Sequence, residues 1–342
     1  MSVGNNVPQM GYNAVLGLGK ESAFGTFVTS TMFLEFNSES LKYAIEPVKI
    51  EAINGSRDFK KIVQGNASVS GGIEAPFNVA ADACVILFKQ AMGGTSTVIA
   101  ASSSSYTHTL TPGDMENNRS TSTANHLKGL SIAVRPGDSA AQTWNFFGCR
   151  VNQFTLKADV GSPVVMSAEL VGQGCSISAT MPAASYSDVN PVIFAGASVK
   201  TGATTTTVAV EYVKSFELSI NNNINTDHRV LGSRLVQQLP PVMREITLKV
   251  SQVFDTTTAY DRFIAQTDTT FELTLDSQIV LGASTGTYNC VITLPRCVLG
   301  PNNPAVSGPG PIQQELEYIC LWDSATSYSI NATVRNKTAN YD

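Results

Sequence analysis

Apolar residues along this chain recur mostly at every second position, in short runs separated by Gly, Pro, Asn and Ser. Such alternation marks strands with one buried face. Val69, Gly71, Ile73 and Phe77 lie on one largely apolar track, and Ile246, Leu248, Val250 and Phe254 lie on another, each 177 positions later. The segments before them, 38–57 and 215–234, align at the same spacing without a gap. Ser38/Ser215, Leu41/Leu218, Gly55/Gly232, Ser56/Ser233 and Arg57/Arg234 are identical. A short amphipathic helix is expected after each track, at 82–91 and 259–268. Strand, long polar excursion, Gly-Ser-Arg, strand and helix thus occur twice, which predicts two tandem copies of one β-rich domain.

From the N-terminus, residues 1–30 read as an irregular extended segment, interrupted by Pro8, Gly11, Gly17, Gly19 and Gly25. Strands are expected at 32–36 and 66–77. A helix is expected at 80–92, with Ala83, Leu87, Phe88 and Ala91 on one face and Gly93-Gly94 as its stop. Residues 94–127 are rich in Ser, Thr and Asn and read as an inserted surface loop with one strand at 106–110. A meander follows, with strands at 127–135, 143–147, 151–158 and 164–171. The second copy is expected to hold strands at 192–194, 207–213, 216–220, 244–254, 271–275, 287–294, 312–322 and 328–334, with a helix at 259–266. The organisation expected is a first domain at 31–175, a Gly/Pro-marked linker at 176–191 and a second domain at 192–342. Each domain is expected to be a β-sandwich or flattened barrel with one flanking short helix and a long loop arm.

Composition agrees with a mainly β fold. Hydrophobic residues make up 43% of the 342, enough for real cores, while charged residues are only 14%. The net charge is −5. A surface built to hold nucleic acid tightly is basic, so tight DNA binding is disfavoured; an acidic surface repels phosphate and lets DNA pass without sticking. The six cysteines form no C-x-x-C pair and read as small core hydrophobes, expected to be reduced. The first residues lack a basic region followed by a sustained apolar run, and no run approaches the ~20 apolar residues of a membrane helix. Synthesis in a cytoplasm and a soluble, membrane-free life are therefore expected.

Candidate chemistry is sparse. P-loop, GxGxxG and HExxH patterns are missing. Gly282-Ala283-Ser284-Thr285-Gly286 matches GxSxG, but a strand rather than a helix is expected after it, and no histidine follows His228. His108, His126 and His228 have no second ligand at metal-binding spacing and read as ordinary surface histidines. Glu315 and Glu317 lie two apart, as solvated charges on one strand face. A β-sandwich carbohydrate enzyme would need a tryptophan-lined groove, and only Trp144 and Trp322 are present, each in an apolar strand context. No catalytic, cofactor or metal site is expected.

Several places together resemble the tail tube (major tail) proteins of long-tailed bacteriophages. Glu21-Ser22-Ala23-Phe24-Gly25-Thr26 is similar to the E-x-x-[YF]-G-T opening of one such family. Leu41 with the excursion ending Gly55-Ser56-Arg57 resembles its next segment, and 65–73 with the helix after it resembles the following strand. Phe146-Phe147-Gly148-Cys149-Arg150-Val151 resembles an F-x-G-x-x-V region. Residues 223–234 and 294–298 resemble elements of a second copy. The resemblance implies a virion structural protein, not an enzyme: two tube domains per chain, homotrimers forming pseudo-hexameric rings, and rings stacked into a hollow tube that conducts DNA without specific binding. Implied partners are further copies of itself, a tape-measure protein in the lumen, and terminator or connector and tail-tip proteins. A capsid decoration, tail-tip or adhesin module is the alternative.

The resemblance also implies loop arms that reach neighbouring subunits. Pairing one edge strand through roughly six hydrogen bonds yields a net of about 3–9 kcal/mol, while association costs roughly 4–15 kcal/mol. A stable tube therefore needs further buried area. The arms at 42–61 and 221–239 could supply it, with Glu46, Lys49, Glu51, Arg57, Lys60 and Lys61 in the first and Asn223, Asp227, His228, Arg229 and Arg234 in the second. They are expected to be disordered in the free subunit and ordered in the tube. The lumen is expected to be net negative and lined from both copies.

Overall fold

The computed structural model describes residues 9–341, apart from 54, 95, 103–104, 114–127, 139–141, 179–180, 203–207, 210–212, 283–285 and 302–307. The first half runs β1 (Val15–Lys20), β2 (Met32–Leu34), β3 (Ser38–Glu39), β4 (Lys42–Lys49), β5 (Ile62–Pro76), α1 (Asp82–Met92), β6 (Ser96–Ser102), β7 (Ser105–Leu110), β8 (Leu130–Arg135), β9 (Thr143–Asp159), β10 (Val165–Gly172) and β11 (Gly174–Ser178). The second runs β12 (Ala197–Gly202), β13 (Val208–Ala209), β14 (Val213–Asn221), β15 (Glu245–Val253), α2 (Thr258–Ala265), β16 (Thr269–Val280), β17 (Thr287–Leu299), β18 (Gln313–Cys320) and β19 (Asn331–Asn336). The protein is mainly β, and its strands join into one large open antiparallel sheet system.

Alternation dictates the pairing, because each strand must turn its apolar side chains to a common core. In the first half β4 pairs with β5, β5 with β10, β10 with β9, β9 with β8 and β11, and β8 with β1. In the second, β14 pairs with β15, β15 with β18, β18 with β17, β17 with β16 and β19, and β16 with β12. Over these strands the two graphs are the same; β3, which also pairs with β5, and the β6–β7 hairpin are additions of the first half. Their registers agree too: Ser219↔Thr247, Ile220↔Ile246 and Asn221↔Glu245 are the pairs Lys42↔Ser70, Tyr43↔Val69 and Ala44↔Ser68 displaced by 177 positions.

The halves also share hydrogen bonds. β14 pairs with the far end of β9, from Ser215↔Asp159 to Asn221↔Gln153. One core cluster runs through both halves, with Phe154 and Leu156 beside Leu218 and Ile220 in the paired strands. β9 is one strand where two were expected. Gly148 bends it, with φ +64 and no room for a Cβ, which would lie 2.7 Å from the Gln173 Cβ. Before the bend β9 pairs with β8 and β11, and Cys149 just past it still pairs with Leu130 of β8; from Arg150 on, β9 pairs with β10 and β14.

Three further expectations need correction. The irregular reading of 1–30 misses β1, a buried central strand between β2 and β8. Its glycines are there because residues 28–30 cross close by: a Cβ on Gly19 would lie 2.7 Å from the Val28 carbonyl oxygen. The loop reading of 94–127 misses the β6–β7 hairpin, whose β7 continues the sheet by pairing with β19 of the other half; residues 114–127 lie outside those described. His108, on β7, is fully buried rather than at the surface. Its Nε2 lies 2.7 Å from the Thr338 carbonyl oxygen, and its ring meets Tyr341 edge-on at 4.6 Å. Lys89 of α1 donates to the Tyr341 carbonyl at 2.9 Å, and the Thr338 and Tyr341 hydroxyls both donate to Asp82. The last residues of the second half therefore strap the first half's helix.

Both expected helices form. α1 buries eight of its residues and ends on Gly93 in the left-handed conformation. α2 buries none fully.

Replacing Gly19 by alanine should lower stability by about 1–3 kcal/mol, because overpacking forces backbone to move. Urea titration checks this; an unshifted midpoint would mean that β1 is not packed against 28–30.

Candidate assembly surfaces

The Glu21 motif is structural. Glu21 is buried, and its carboxylate accepts hydrogen bonds from the Gly25 N–H at 2.9 Å, the Gly148 N–H at 2.7 Å and the Ser131 hydroxyl at 2.9 Å. Burial pushes its pKa up from 4.5; the hydrogen bonds and the Arg150 guanidinium oppose that shift. The carboxylate therefore ties the Gly25 turn to the bend of β9. The turn presents Phe24, whose ring lies 5.4 Å from the Arg150 guanidinium carbon. Arg150, 1% exposed, donates through Nη1 to the Leu239 carbonyl at 3.0 Å. Gln173 donates to the Val236 carbonyl at 2.9 Å.

These contacts fix the second arm. Ile224, Val236 and Leu239 form a small core of their own, closed by Phe24 and Val171. Arg229 donates to the Ala67 carbonyl and Arg234 to the Gln64 side chain, while the Ala67 N–H donates to the Arg234 carbonyl. Asn223 holds the start of the arm at φ +48, donating to the Met243 carbonyl. Asp227 and His228 sit exposed near the tip, where the His228 carbonyl accepts from the Gln237 N–H. The arm is ordered within the single chain, against the expectation of disorder, because it brings its own apolar residues to a prepared corner.

The first arm is ordered differently. β4 and β5 zip as a hairpin from Lys42↔Ser70 to Lys49↔Ile62, with a register shift at Pro47. Beyond Ile45 it touches little: Glu46, Lys49, Glu51, Arg57, Lys60 and Lys61 are all exposed, and so are Val48, Ile50, Ile53, Phe59, Ile62 and Val63. Lys49 lies over the Phe59 ring, 5.2 Å from its centre. The Gly-Ser-Arg turns of the two arms match, with Gly55 at φ +72 and Gly232 at φ +89. A cluster of exposed apolar side chains on a projecting hairpin marks an interaction site.

A second surface is the polar face of β5, β10, β9, β14, β15 and β18. It carries Glu74, Glu169, Asp159, Glu217, Glu315 and Glu317 against Lys157 and Lys249, among Ser, Thr and Gln. Lys157 is held by Asp159 at 3.0 Å, chiefly through their hydrogen bond, and its pKa rises; Lys249 lies 3.8 Å from Glu317. Both halves contribute, and the face is acidic. Its two outer edges are open among the described residues: β4 pairs only with β5, and residues 313–316 of β18 pair only with β15.

Among the described residues no group of His, Cys, Asp or Glu is placed to hold a metal. Burial pushes the Cys84 and Cys290 thiols up to about 12, far from a reactive thiolate. His126 and residues 283–285 of the GxSxG match lie outside the described residues. The residues that sequence reasoning missed are Phe24, Arg150 and Gln173, which seat the second arm. An arginine inside an apolar strand run was the available signal for Arg150.

Arg150→Ala should free the second arm. Trypsin cutting after Arg229 and Arg234 should accelerate several-fold while the core resists. Unchanged cutting would mean that the Leu239 contact does not hold the arm.

A family model described as phage tail tube protein matches residues 11–320 of the chain. No curated protein matches it.

Proposed function

The chain belongs to the phage tail tube protein family and is a virion structural protein, and on that premise we propose that it forms the tube of a long-tailed phage from two tandem tube domains per chain. Three chains then supply six domains to a pseudo-hexameric ring, and stacked rings enclose the DNA conduit. The observation that carries this reading is the repeated pairing graph with both outer edges open. A sheet whose two ends differ can join head to tail, and a head-to-tail contact that closes gives a ring. Within one chain β9 and β14 already make such a junction between halves.

The acidic sheet face supports a role as the lumen wall. Carboxylates repel the phosphate backbone, and small polar residues offer no base-stacking platform, so DNA can slide past. A tape-measure protein during assembly, a terminator or connector at one end and tip proteins at the other complete the partners proposed. Assembly is proposed to take place in the host cytoplasm.

Negative-stain microscopy of the concentrated protein tests the reading directly. Six-lobed rings or hollow tubes are the expected outcome; compact monomers under every condition, with a purified tail initiator added, would overturn it. Tubes of a Glu169→Lys, Glu317→Lys variant should retain linear duplex DNA at low salt and lose it as salt rises, whereas wild-type tubes should retain none. Equal retention by both would remove the sheet face from the lumen.

A further inference from the structure

The two arms end differently although their sequences correspond. Val236 and Leu239 of the second arm, 2% and 1% exposed, fill the corner beside Val171 and Gln173. Their counterparts 177 positions earlier are Phe59 and Ile62, which are 56% and 62% exposed. The corner has a counterpart as well. Val171 pairs with Ser70, and Ile319 pairs with Thr247, which stands 177 positions after Ser70. Ile319 and, two residues on, Leu321 thus occupy the places of Val171 and Gln173. Both are exposed, and so is neighbouring Trp322, at 60%. Among the described residues there is therefore one filled corner, one bare corner and one unused plug.

We propose that Phe59 and Ile62 of one copy seat on Ile319, Leu321 and Trp322 of a second copy, repeating between chains the contact that the second arm makes within one. The inference rests on the tube reading and names the surface through which neighbouring chains grip. The first arm needs no refolding for it. Val48 pairs with Val63 in the first arm, and the Asn225 N–H donates to the Pro240 carbonyl in the second, again 177 positions apart. Both arms share that crossing and the glycine turn beyond it. The plug is larger than its counterpart, aromatic Phe59 for Val236. The bare corner is apolar where the filled one uses the Gln173 amide. A contact between chains must bury more apolar area than one within a chain, since it also opposes the loss of free motion on association. An intramolecular seat is the rival occupant.

A Phe59→Asp, Ile62→Asp variant tests this. Both side chains are exposed, so its thermal midpoint should match that of the wild type, while the assembled fraction in sedimentation should fall at least tenfold. Ile62→Cys and Leu321→Cys proteins, prepared separately and mixed, should give a dimer-sized band with a short bis-maleimide. Neither protein alone nor the wild type, whose Cys175 is partly exposed, should give it. Undiminished assembly of the double Asp variant would overturn the inference while leaving the tube reading intact. So would a cross-link confined to single chains carrying both cysteines. A wild-type protein that neither assembles nor cross-links under any condition would overturn both.

Discussion

The ladder between β9 and β14 holds this molecule together. It runs from Ser215↔Asp159 to Asn221↔Gln153, and each of its backbone hydrogen bonds contributes about 0.5–1.5 kcal/mol net. Beneath it Phe154 and Leu156 meet Leu218 and Ile220, so the halves share a core as well as a sheet. The acidic face is continuous only because this ladder is unbroken. The bend at Gly148 sends β9 into it, and Glu21 accepts that glycine's N–H. Arg150 stands just past the bend and reaches the second arm. One strand thus sets where the halves meet, where the arm docks and which way the charged face turns.

The halves share a pairing graph but not a degree of completion. α1 is buried, with Phe88 against Phe154 at 5.3 Å and Asn222 of the other half donating to its Ala91 carbonyl. α2 exposes Tyr260 and Ile264 and stands over a cavity of about 200 Å³ lined by Val250, Phe271, Leu316, Tyr318 and Arg262. The first half is finished by the second; α2 gains no comparable cover among the described residues. Stability should therefore be uneven, with the α2 end opening first, as expected for a region with few buried contacts.

Much of this was legible in the sequence. The offset of 177 is the register offset of β4·β5 and β14·β15, because a repeat without gaps must keep its strand partners. Both helices followed from periodicity, as did the placing of Glu315 and Glu317 on one strand face. What failed did so for identifiable reasons. Gly17 and Gly19 read as breakers, yet they lie in a strand whose close neighbours exclude a Cβ. His108 looked like a surface residue because its cover, Thr338 and Tyr341, lies far along the chain. The Glu21 motif was recognisable, but its job was not, since its partners Ser131 and Gly148 come from distant strands. Order in the second arm could not be read locally, because its anchors Phe24, Arg150 and Gln173 are contributed by three separate segments.

The strap made by residues 336–341 has a consequence for biosynthesis. β19 closes the edge of the β6–β7 hairpin, and Thr338 and Tyr341 clasp α1, so elements translated early are completed by residues translated much later. A nascent or prematurely terminated chain leaves that hairpin edge bare and His108 without its lid. Such a chain is a poor building block and a ready target for chaperones or proteases. Only chains translated past Tyr341 would then enter the growing polymer, a form of proofreading in which completing the fold licenses assembly.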